Sequence, residues 1–388
     1  MLDKKKRIME AIKFASEFAK RFTVYIIVIF IMLFAVLEMV VDKDSYSETE
    51  NRYLAKFPKF SFETLKSGEF TEGLEDYLCD HFPLRDDFMK IYAQVQKFEG
   101  KDEINDVYIC KDNYYIEKPK PYENMDKFVG NVNDLCELYP DCNVNLMLVP
   151  TAITIYKDKL PKNADGGNQL EEIEKVKSEL SDKVKFIDVY DTLMEGSTEG
   201  NMFYKTDHHW TTLGAFDAFK KYCEDMGLSE HSIDEYTLTE VSKNFCGTIS
   251  SKVNDKDLVP DKMVSFTKDL SLNVEYQSST SRSLYNKDYL KKRDKYSFFL
   301  NNINDKIVIK NRKIKESRKG KNLLIFKDSY ANCFVPFLVD EYEKIVVLDT
   351  RYYLDGAESL IDEYKIDDIL VLYNMNTVDK DTGVAGIY

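Results

Sequence analysis

The chain has 388 residues, of which 44% are hydrophobic and 31% are charged, and its formal net charge is −14. This length is enough to bury a large core in one domain or two. A chain this acidic is a poor candidate for holding DNA or RNA by neutralising phosphates, so we expect no nucleic-acid partner.

The N-terminal segment differs from the rest in charge and hydropathy. Residues 1–22 are basic, and an uncharged run follows from Thr23 to Leu37, extended by "EMVV" to Val41. We interpret 23–41 as a single-pass transmembrane anchor, because a spanning helix needs roughly 20 apolar residues. A cleaved signal peptide is the alternative, although no small-residue cleavage site follows the run. The positive-inside rule places residues 1–22 in the cytoplasm and residues 42 onward outside the cell membrane.

Beyond the anchor, residues 42–60 are polar and predict a tether to a folded domain at 61–388. Ser61 is a plausible cap for a helical region that breaks near Phe82-Pro83. Short apolar strands such as "CNVNLMLVP" and "KVKFIDVYDTL" then alternate with helical stretches, which predicts an α/β fold with a mostly parallel sheet. The charged segment at about 230–317 interrupts this alternation, and we interpret it as an insertion.

Seven cysteines are present, an odd number without a C-x-x-C pair. This pattern indicates neither a zinc site nor a dense disulfide framework. Buried free thiols are the simpler expectation, and one or two disulfides remain the alternative.

The stretch "LLIFKDSYAN" predicts a strand from Leu323 to Phe326, then a turn at Ser329, then a helix. Ligands in open α/β sheets bind beyond the carboxyl ends of strands, where a serine hydroxyl would be exposed. Free N–H groups at a helix N-terminus can stabilise an oxyanion. An ordinary helix cap is the alternative for this serine.

The stretch "YKTDHHWTT" holds two of the four histidines and the only tryptophan. In extended chain Asp207 and His209 share one side, so Asp207 can orient His209 as a base for a serine nucleophile. His208 would then face away, and Trp210 would pack beneath the turn. A metal site formed by Asp207, His208 and His209 is one alternative, and a surface loop with chance histidines is another. The remaining histidines, His81 and His231, have no comparable neighbours and are expected to be structural or solvated.

Several stretches together resemble one family. "TDHHWT", "KDSYANCFVPFL", "DTRYY", "ENRYLAKFPKF" and "LYNKDYLKKRDKYSFFL" resemble the DHHW family of bacterial proteins, which is similar to the alginate O-acetyltransferases of the SGNH-hydrolase-like group. The resemblance implies an α/β three-layer SGNH-hydrolase-like domain. It also implies a catalytic triad of Asp207, His209 and Ser329.

The resemblance is weaker at the oxyanion hole. Family members tend to have Gly-Gly-Asn where this chain has Asn301 and Asn302 after "FL". Asn tolerates the left-handed backbone that Gly would supply, and its amide can donate a hydrogen bond, so both are oxyanion-hole candidates. Arg351 and Tyr352 follow the strand "KIVVLD" and are candidates for substrate binding, with packing between strand and helix as the alternative.

The resemblance implies a membrane-anchored, extracytoplasmic O-acyltransferase, most simply an O-acetyltransferase, that modifies a cell-surface or secreted polysaccharide through an acyl-enzyme. The implied donor partner is a membrane-bound O-acyltransferase, and neither cofactor nor metal is required. His209 must be neutral to act, so activity should fall below a pH near 6.5 if its pKa is unperturbed. An O-acetyl esterase with the same triad, a non-catalytic scaffold or binding protein of a polymer-export complex, and a metal-binding surface protein remain the alternatives.

Overall fold

The computed structural model describes residues 2–40, 45–47, 52–353 and 355–380. Residue 41 of the predicted anchor and residues 42–44 and 48–51 of the predicted tether lie outside the described residues. The chain divides into two compact units, Met1–Tyr92 and Ala93–Tyr388.

The helices are α1 Leu2–Val40, α2 Phe62–Ser67, α3 Glu69–Asp80, α4 Arg85–Phe98, α5 Met125–Leu138, α6 Ala152–Ile155, α7 Gln169–Glu179, α8 Tyr190–Gly196, α9 Thr212–Met226, α10 Thr248–Val253, α11 Ala331–Leu338 and α12 Glu358–Tyr364. The strands are β1 Tyr46–Ser47, β2 Arg52–Tyr53, β3 Glu103–Ile104, β4 Val107–Ile109, β5 Tyr115–Glu117, β6 Asn143–Val149, β7 Lys185–Phe186, β8 Thr237–Phe245, β9 Asp261–Thr267, β10 Leu272–Tyr276, β11 Ser279–Ser281, β12 Lys306–Asn311, β13 Asn322–Lys327, β14 Lys344–Asp349 and β15 Asp368–Asn374.

The first unit is dominated by α1. Its segment Lys13–Glu38 is long and apolar enough to cross a membrane, a test that a signal sequence also passes. Ser61 caps helix α2, because its hydroxyl accepts a hydrogen bond from the Thr64 N–H at 3.0 Å. The predicted break near Phe82-Pro83 is also present, because α3 ends before this dipeptide and α4 begins after it.

The second unit is built on an eight-stranded sheet in the order β11-β10-β12-β14-β13-β15-β6-β7. Strands β14, β13, β15, β6 and β7 pair in parallel, whereas β11, β10, β12 and β14 pair antiparallel. The α/β prediction is therefore confirmed, and the sheet is mixed. The segment at about 230–317 supplies β10, β11 and β12 to this sheet, and β8 with β9 forms a separate antiparallel pair.

Strand β13 is buried on both faces, which explains its unbroken apolar sequence. Leu323 and Ile325 belong to one hydrophobic cluster, and Leu324 and Phe326 belong to a second, because successive side chains of a strand point to opposite faces. Helices α9 and α11 contribute to the first cluster, and α5, α7 and α12 contribute to the second. The centre of the sheet is therefore covered on both sides.

The parallel register brings several strand ends to one edge of the sheet. Lys327 at the end of β13 pairs with Asp349 at the end of β14 and with Leu372 near the end of β15. Asn374 closes β15 beside Val149 of β6. This edge is where the sequence predicts a ligand site, and Ser329 lies two residues beyond it.

Candidate active site

Ser329 lies in the turn between β13 and α11, as the sequence predicts. It is partly exposed, whereas Asp328 and Tyr330 on either side are buried. Among the described residues its N–H has no hydrogen-bond acceptor, so that group is free to donate. The Ser329 hydroxyl and an unengaged N–H therefore share one turn at a helix N-terminus, which suits attack on a carbonyl carbon.

Asp328 fixes this turn. Its carboxylate accepts hydrogen bonds from the Tyr330 N–H at 2.8 Å, from both the N–H and the amide of Asn374 at 2.7 Å, and from the Thr377 hydroxyl. Burial raises the pKa of Asp328, although these donors oppose the shift. The side chain thus ties the serine turn to the end of β15.

The second part of the site is the loop between Phe203 and Trp210, which form an isolated antiparallel bridge. Within the loop the His209 N–H donates to Asp207 Oδ1 at 3.0 Å, and the ring atom Nδ1 of His209 lies 2.5 Å from the same oxygen. His209 Nε2 lies 2.7 Å from Ser329 Oγ. The structure therefore brings the three residues of the predicted triad together in one hydrogen-bonded chain.

The second carboxylate oxygen of Asp207 is held by α10. Oδ2 accepts from the Thr248 N–H at 2.8 Å and from the Thr248 hydroxyl at 3.2 Å. Gly247 leaves the space for this contact, since a Cβ there would lie only 2.0 Å from Oδ2. Asp207 is thus fully engaged, with one oxygen on the imidazole of His209 and the other on Thr248.

The electrostatics favour an ionised Asp207 beside a neutral His209. Burial would raise the pKa of Asp207, but His209, His208 and the Thr248 N–H hold it well below its ordinary value. Burial and the nearby His208 lower the pKa of His209 to about 4, although Asp207 opposes the shift. His209 is consequently neutral at neutral pH and able to accept the Ser329 proton, as a general base must.

Trp210 and Tyr330 join the histidine loop to the serine turn. Trp210 is fully buried, and its Nε1–H donates to the Tyr330 carbonyl at 2.8 Å. In return, the Tyr330 hydroxyl donates to the His208 carbonyl. These reciprocal bonds set the position of the loop relative to the serine turn.

Tyr296 covers the face of the His209 ring. The two ring centroids are 3.7 Å apart and the ring planes differ by 12°. The hydroxyl of Tyr296 donates to the Ser329 carbonyl at 3.2 Å and also lies 3.3 Å from Cys333 Sγ. One buried tyrosine therefore contacts both His209 and Ser329.

His208 does not face away from His209, contrary to the prediction from extended chain. Its ring centroid lies 3.9 Å from that of His209, because the bond from the His209 N–H to Asp207 bends the loop. His208 Nδ1 lies 2.7 Å from the Thr248 hydroxyl. The Thr248 hydroxyl also lies 3.2 Å from Asp207 Oδ2, so Thr248 contacts both His208 and Asp207.

The same loop is the alternative metal site that the sequence suggests. Asp207, His208 and His209 offer ligand atoms within 4.8 Å of one another. Both ring nitrogens of His209 are already engaged, however, Nδ1 by Asp207 and Nε2 by Ser329. Metal ligation by His209 would break one of these contacts, so the arrangement fits proton transfer better than metal binding.

Asn301 and Asn302 adopt the left-handed backbone expected of them, with φ of 57° and 70°. Asn301 Oδ1 accepts from Asn286 at 2.6 Å, and Asn302 Oδ1 accepts from the Ser297 hydroxyl at 2.8 Å. Within the described part of the chain, no hydrogen bond joins either residue to Asp207, His209 or Ser329. Their role in an oxyanion hole stays a prediction.

Arg351 and Tyr352 follow β14. Asp349 at the end of this strand accepts two bonds from Arg351, at 2.8 and 2.6 Å, and also pairs with the buried Lys327 at 3.1 Å. The positive charge of Arg351 contributes to the lowered pKa of His209. Tyr352 is 48% exposed and lies beneath the Arg351 guanidinium. Both remain candidates for substrate contact.

The family model described as "DHHW protein" matches residues 96–348, well over half of the chain. The chain belongs to the DHHW family. This confirms the resemblance predicted from the motifs. A comparison with curated protein sequences finds no match.

Solved structures similar to this DHHW chain include a DHHW family protein from Eubacterium siraeum DSM 15702. That protein is 24% identical, with a TM-score of 0.63 over 70% of this chain and 91% of that one. Bacillus cereus PatB1 with a sulfonyl adduct is 20% identical, with a TM-score of 0.62 over 74% of this chain and all (100%) of that one. The O-acetyltransferase domain of Pseudomonas putida AlgJ is a more distant match, at 12% identity and a TM-score of 0.44 over 71% and 92%. The first two likenesses show a shared fold.

Sequence reasoning missed Gly247, Thr248, Tyr296 and Asn374. Tyr296 lies in a stretch that was recognised as a family motif, but nothing in the stretch pointed to His209. Gly247 and Thr248 follow Cys246 in a segment without apolar periodicity. These residues contact the site only in the folded chain, so no local sequence pattern indicates them.

Proposed function

We propose that this DHHW protein is a membrane-anchored, extracytoplasmic O-acyltransferase, most simply an O-acetyltransferase, that modifies a polysaccharide. Ser329 is the nucleophile, His209 the general base and acid, and Asp207 the residue that orients His209. The family resemblance supports acetyl transfer to sugar hydroxyls. The extracytoplasmic domain is of the three-layer SGNH-hydrolase-like type.

The observation that carries the proposal is the hydrogen-bonded chain from Asp207 through His209 to Ser329. Its contacts of 2.5 and 2.7 Å are within hydrogen-bonding distance. The neutral imidazole and the ionised carboxylate are the protonation states that a serine acyl transfer requires.

In the first half-reaction, His209 Nε2 takes the hydroxyl proton while Ser329 Oγ bonds to the carbonyl carbon of an acetyl donor. The oxyanion that forms is stabilised by the Ser329 N–H and the N-terminus of α11, with the amides of Asn301 and Asn302 as further candidate donors. The bond from the carbonyl carbon to the leaving group then breaks, and protonated His209 returns the proton to that group. Ser329 is left as an acetyl ester.

In the second half-reaction, a sugar hydroxyl gives its proton to His209 and attacks the acetyl carbon. The bond to Ser329 Oγ breaks, and that oxygen recovers the proton from His209. The partly exposed serine lets a bulky acceptor approach, and Arg351 with Tyr352 offers a charged and aromatic surface for sugar hydroxyls and rings. A membrane-bound O-acyltransferase next to the anchor carries acetyl groups from the cytoplasm and supplies them to Ser329.

The test uses the full chain in detergent, incubated with an activated acetyl ester and measured by intact-protein mass and peptide mapping. An acetyl group on Ser329 is expected in the wild type and is lost in Ser329→Ala. His209→Ala should not form the adduct. Ser279→Ala, at a serine in an exposed strand, is the matched control and should acetylate normally.

Oligosaccharide acceptors distinguish transfer from hydrolysis. Acetylated sugar, formed at the expense of the acyl-enzyme, supports the transferase. Free acetate alone, with sugar present, supports the esterase alternative. Absence of both adduct and ester turnover in the wild type would refute the catalytic proposal and favour a scaffold role.

A further inference from the structure

Helix α4 carries an apolar surface that the catalytic proposal does not use. Phe88, Ile91 and Tyr92 are spaced so that they share one side of the helix, and Leu84 lies just before its first residue. All four are exposed, Leu84 to 62% and Ile91 to 58%. We call these four residues the α4 apolar face.

The burial pattern of α4 is the reverse of that of an ordinary surface helix. Its buried residues are Ala93 and Gln96, whereas the larger apolar side chains are exposed. Soluble proteins rarely leave a contiguous apolar patch of this kind without a binding partner. The pattern therefore indicates that something apolar covers the α4 apolar face.

The contacts of Phe34 identify that covering. Phe34 lies one turn before the end of the membrane-compatible segment Lys13–Glu38. Its ring stacks on Phe82 with centroids 4.9 Å apart, and it lies 5.9 Å from Phe88. The α3–α4 junction is thus at the same level as the last apolar turn of α1, within the unit Met1–Tyr92.

We infer that the α4 apolar face lies in the outer interface of the lipid bilayer, beside the point where α1 leaves it. A helix with one apolar side can rest in the plane of that interface with its apolar side chains among the acyl chains. This second membrane contact would lie within the unit Met1–Tyr92, on the side of the membrane where the acetyl donor of the proposed function would be reached.

The chain offers a direct spectroscopic test. Trp210 is the only tryptophan and is fully buried, so it gives a constant background. Phe88→Trp places a second tryptophan on the α4 apolar face, and Lys90→Trp places one on an exposed polar position of the same helix as the matched control. The full-length variants are incorporated into phosphatidylcholine nanodiscs, with and without bromine atoms on the acyl chains.

Brominated lipid should quench the added emission of Phe88→Trp at least about twofold more than that of Lys90→Trp, since only the former lies among acyl chains. Ile91→Trp should behave as Phe88→Trp does, which guards against a local artefact at one position.

Three results would overturn the inference. Equal quenching of the two variants, with Phe88→Trp open to aqueous acrylamide, would mean that the face is in water. Protection from acrylamide without quenching by brominated lipid would mean that protein, either a second copy or a partner, covers it. Failure of the chain to incorporate into nanodiscs would leave no bilayer beside the face.

Discussion

The Tyr296 ring lies flat against the His209 imidazole, with 3.7 Å between centroids. The two residues come from segments far apart in sequence, and their contact excludes water from one face of the general base. Because burial is the largest cause of the lowered pKa of His209, the stack helps to keep that residue neutral and immobile.

Tyr296→Leu removes the ring and opens His209 to water. We expect kcat/KM for an acetyl ester to fall about tenfold or more, because a base that is free to rotate loses its alignment. The acid limb of the pH–rate profile should also move to higher pH as solvation of the imidazolium improves. Tyr296→Phe keeps the ring and should retain most of the activity and the wild-type pH limb. An unshifted limb in Tyr296→Leu would contradict the stacking role.

Gly247→Ala should disable the site without touching a reacting group. The added Cβ would lie 2.0 Å from Asp207 Oδ2, so the carboxylate must move away from His209. We expect a loss of activity on the order of 10²-fold or more, with a stability cost of about 1–3 kcal/mol. Gly130→Ala is the control, because a Cβ there meets nothing within 4 Å. Ester turnover and thermal unfolding of both variants test this, and wild-type turnover in Gly247→Ala would rule it out.

The acid limit of activity should lie below that of an unperturbed histidine. Since burial and His208 lower the pKa of His209 to about 4, the neutral base persists well below pH 6, and the rate should fall only as pH approaches that value. His208→Gln removes one cause of the shift and should move the limb upward. A pH–rate profile of both proteins decides the matter, and a wild-type midpoint near 6.5 would show that His209 is not depressed.

His231 should make the folded state less stable as pH rises. Burial would lower its pKa, but hydrogen bonds to Glu341 at 3.0 Å and Glu235 at 3.2 Å raise it overall. Lys268 pairs with Glu235, and Arg318 lies beside Glu341. The folded state therefore keeps a proton that the unfolded state has lost, so this contribution is full below about pH 6.5 and is lost as pH rises through the folded pKa.

Urea unfolding at pH 6 and at pH 9 measures the effect of His231. The wild type should lose stability between these values, and His231→Gln should be less stable at pH 6 and lack this part of the decline. If the two proteins show parallel pH dependence, the histidine is not protonated in the folded state.

The strand-turn-helix pattern around Ser329 and the spacing of Asp207 and His209 were readable from sequence because each depends on neighbours in the chain. The prediction that His208 faces away from His209 was wrong, because an extended chain does not describe this loop. The bond from the His209 N–H to Asp207 Oδ1 makes a tight turn instead and brings both rings to one side. This hydrogen bond depends on the folded conformation of the loop, which the sequence spacing alone does not predict.

The antiparallel strands of the mixed sheet were not predicted for a different reason. In strand β12 buried residues alternate with less buried ones, as in an antiparallel strand, but its sequence KIVIKN has three apolar residues in a row and does not show which sheet the strand joins. Tyr296 and Gly247 were missed for a similar reason. Their contacts with His209 and Asp207 span long stretches of chain, and no local spacing encodes them.

The bond from Trp210 to Tyr330 joins positions 120 residues apart. Closing so long a loop costs entropy that only the nearly complete core can offset, so the triad should assemble late in folding. The only tryptophan of the chain sits at that closure. Its fluorescence during refolding should therefore report the assembly of the active site, as distinct from the earlier formation of helices.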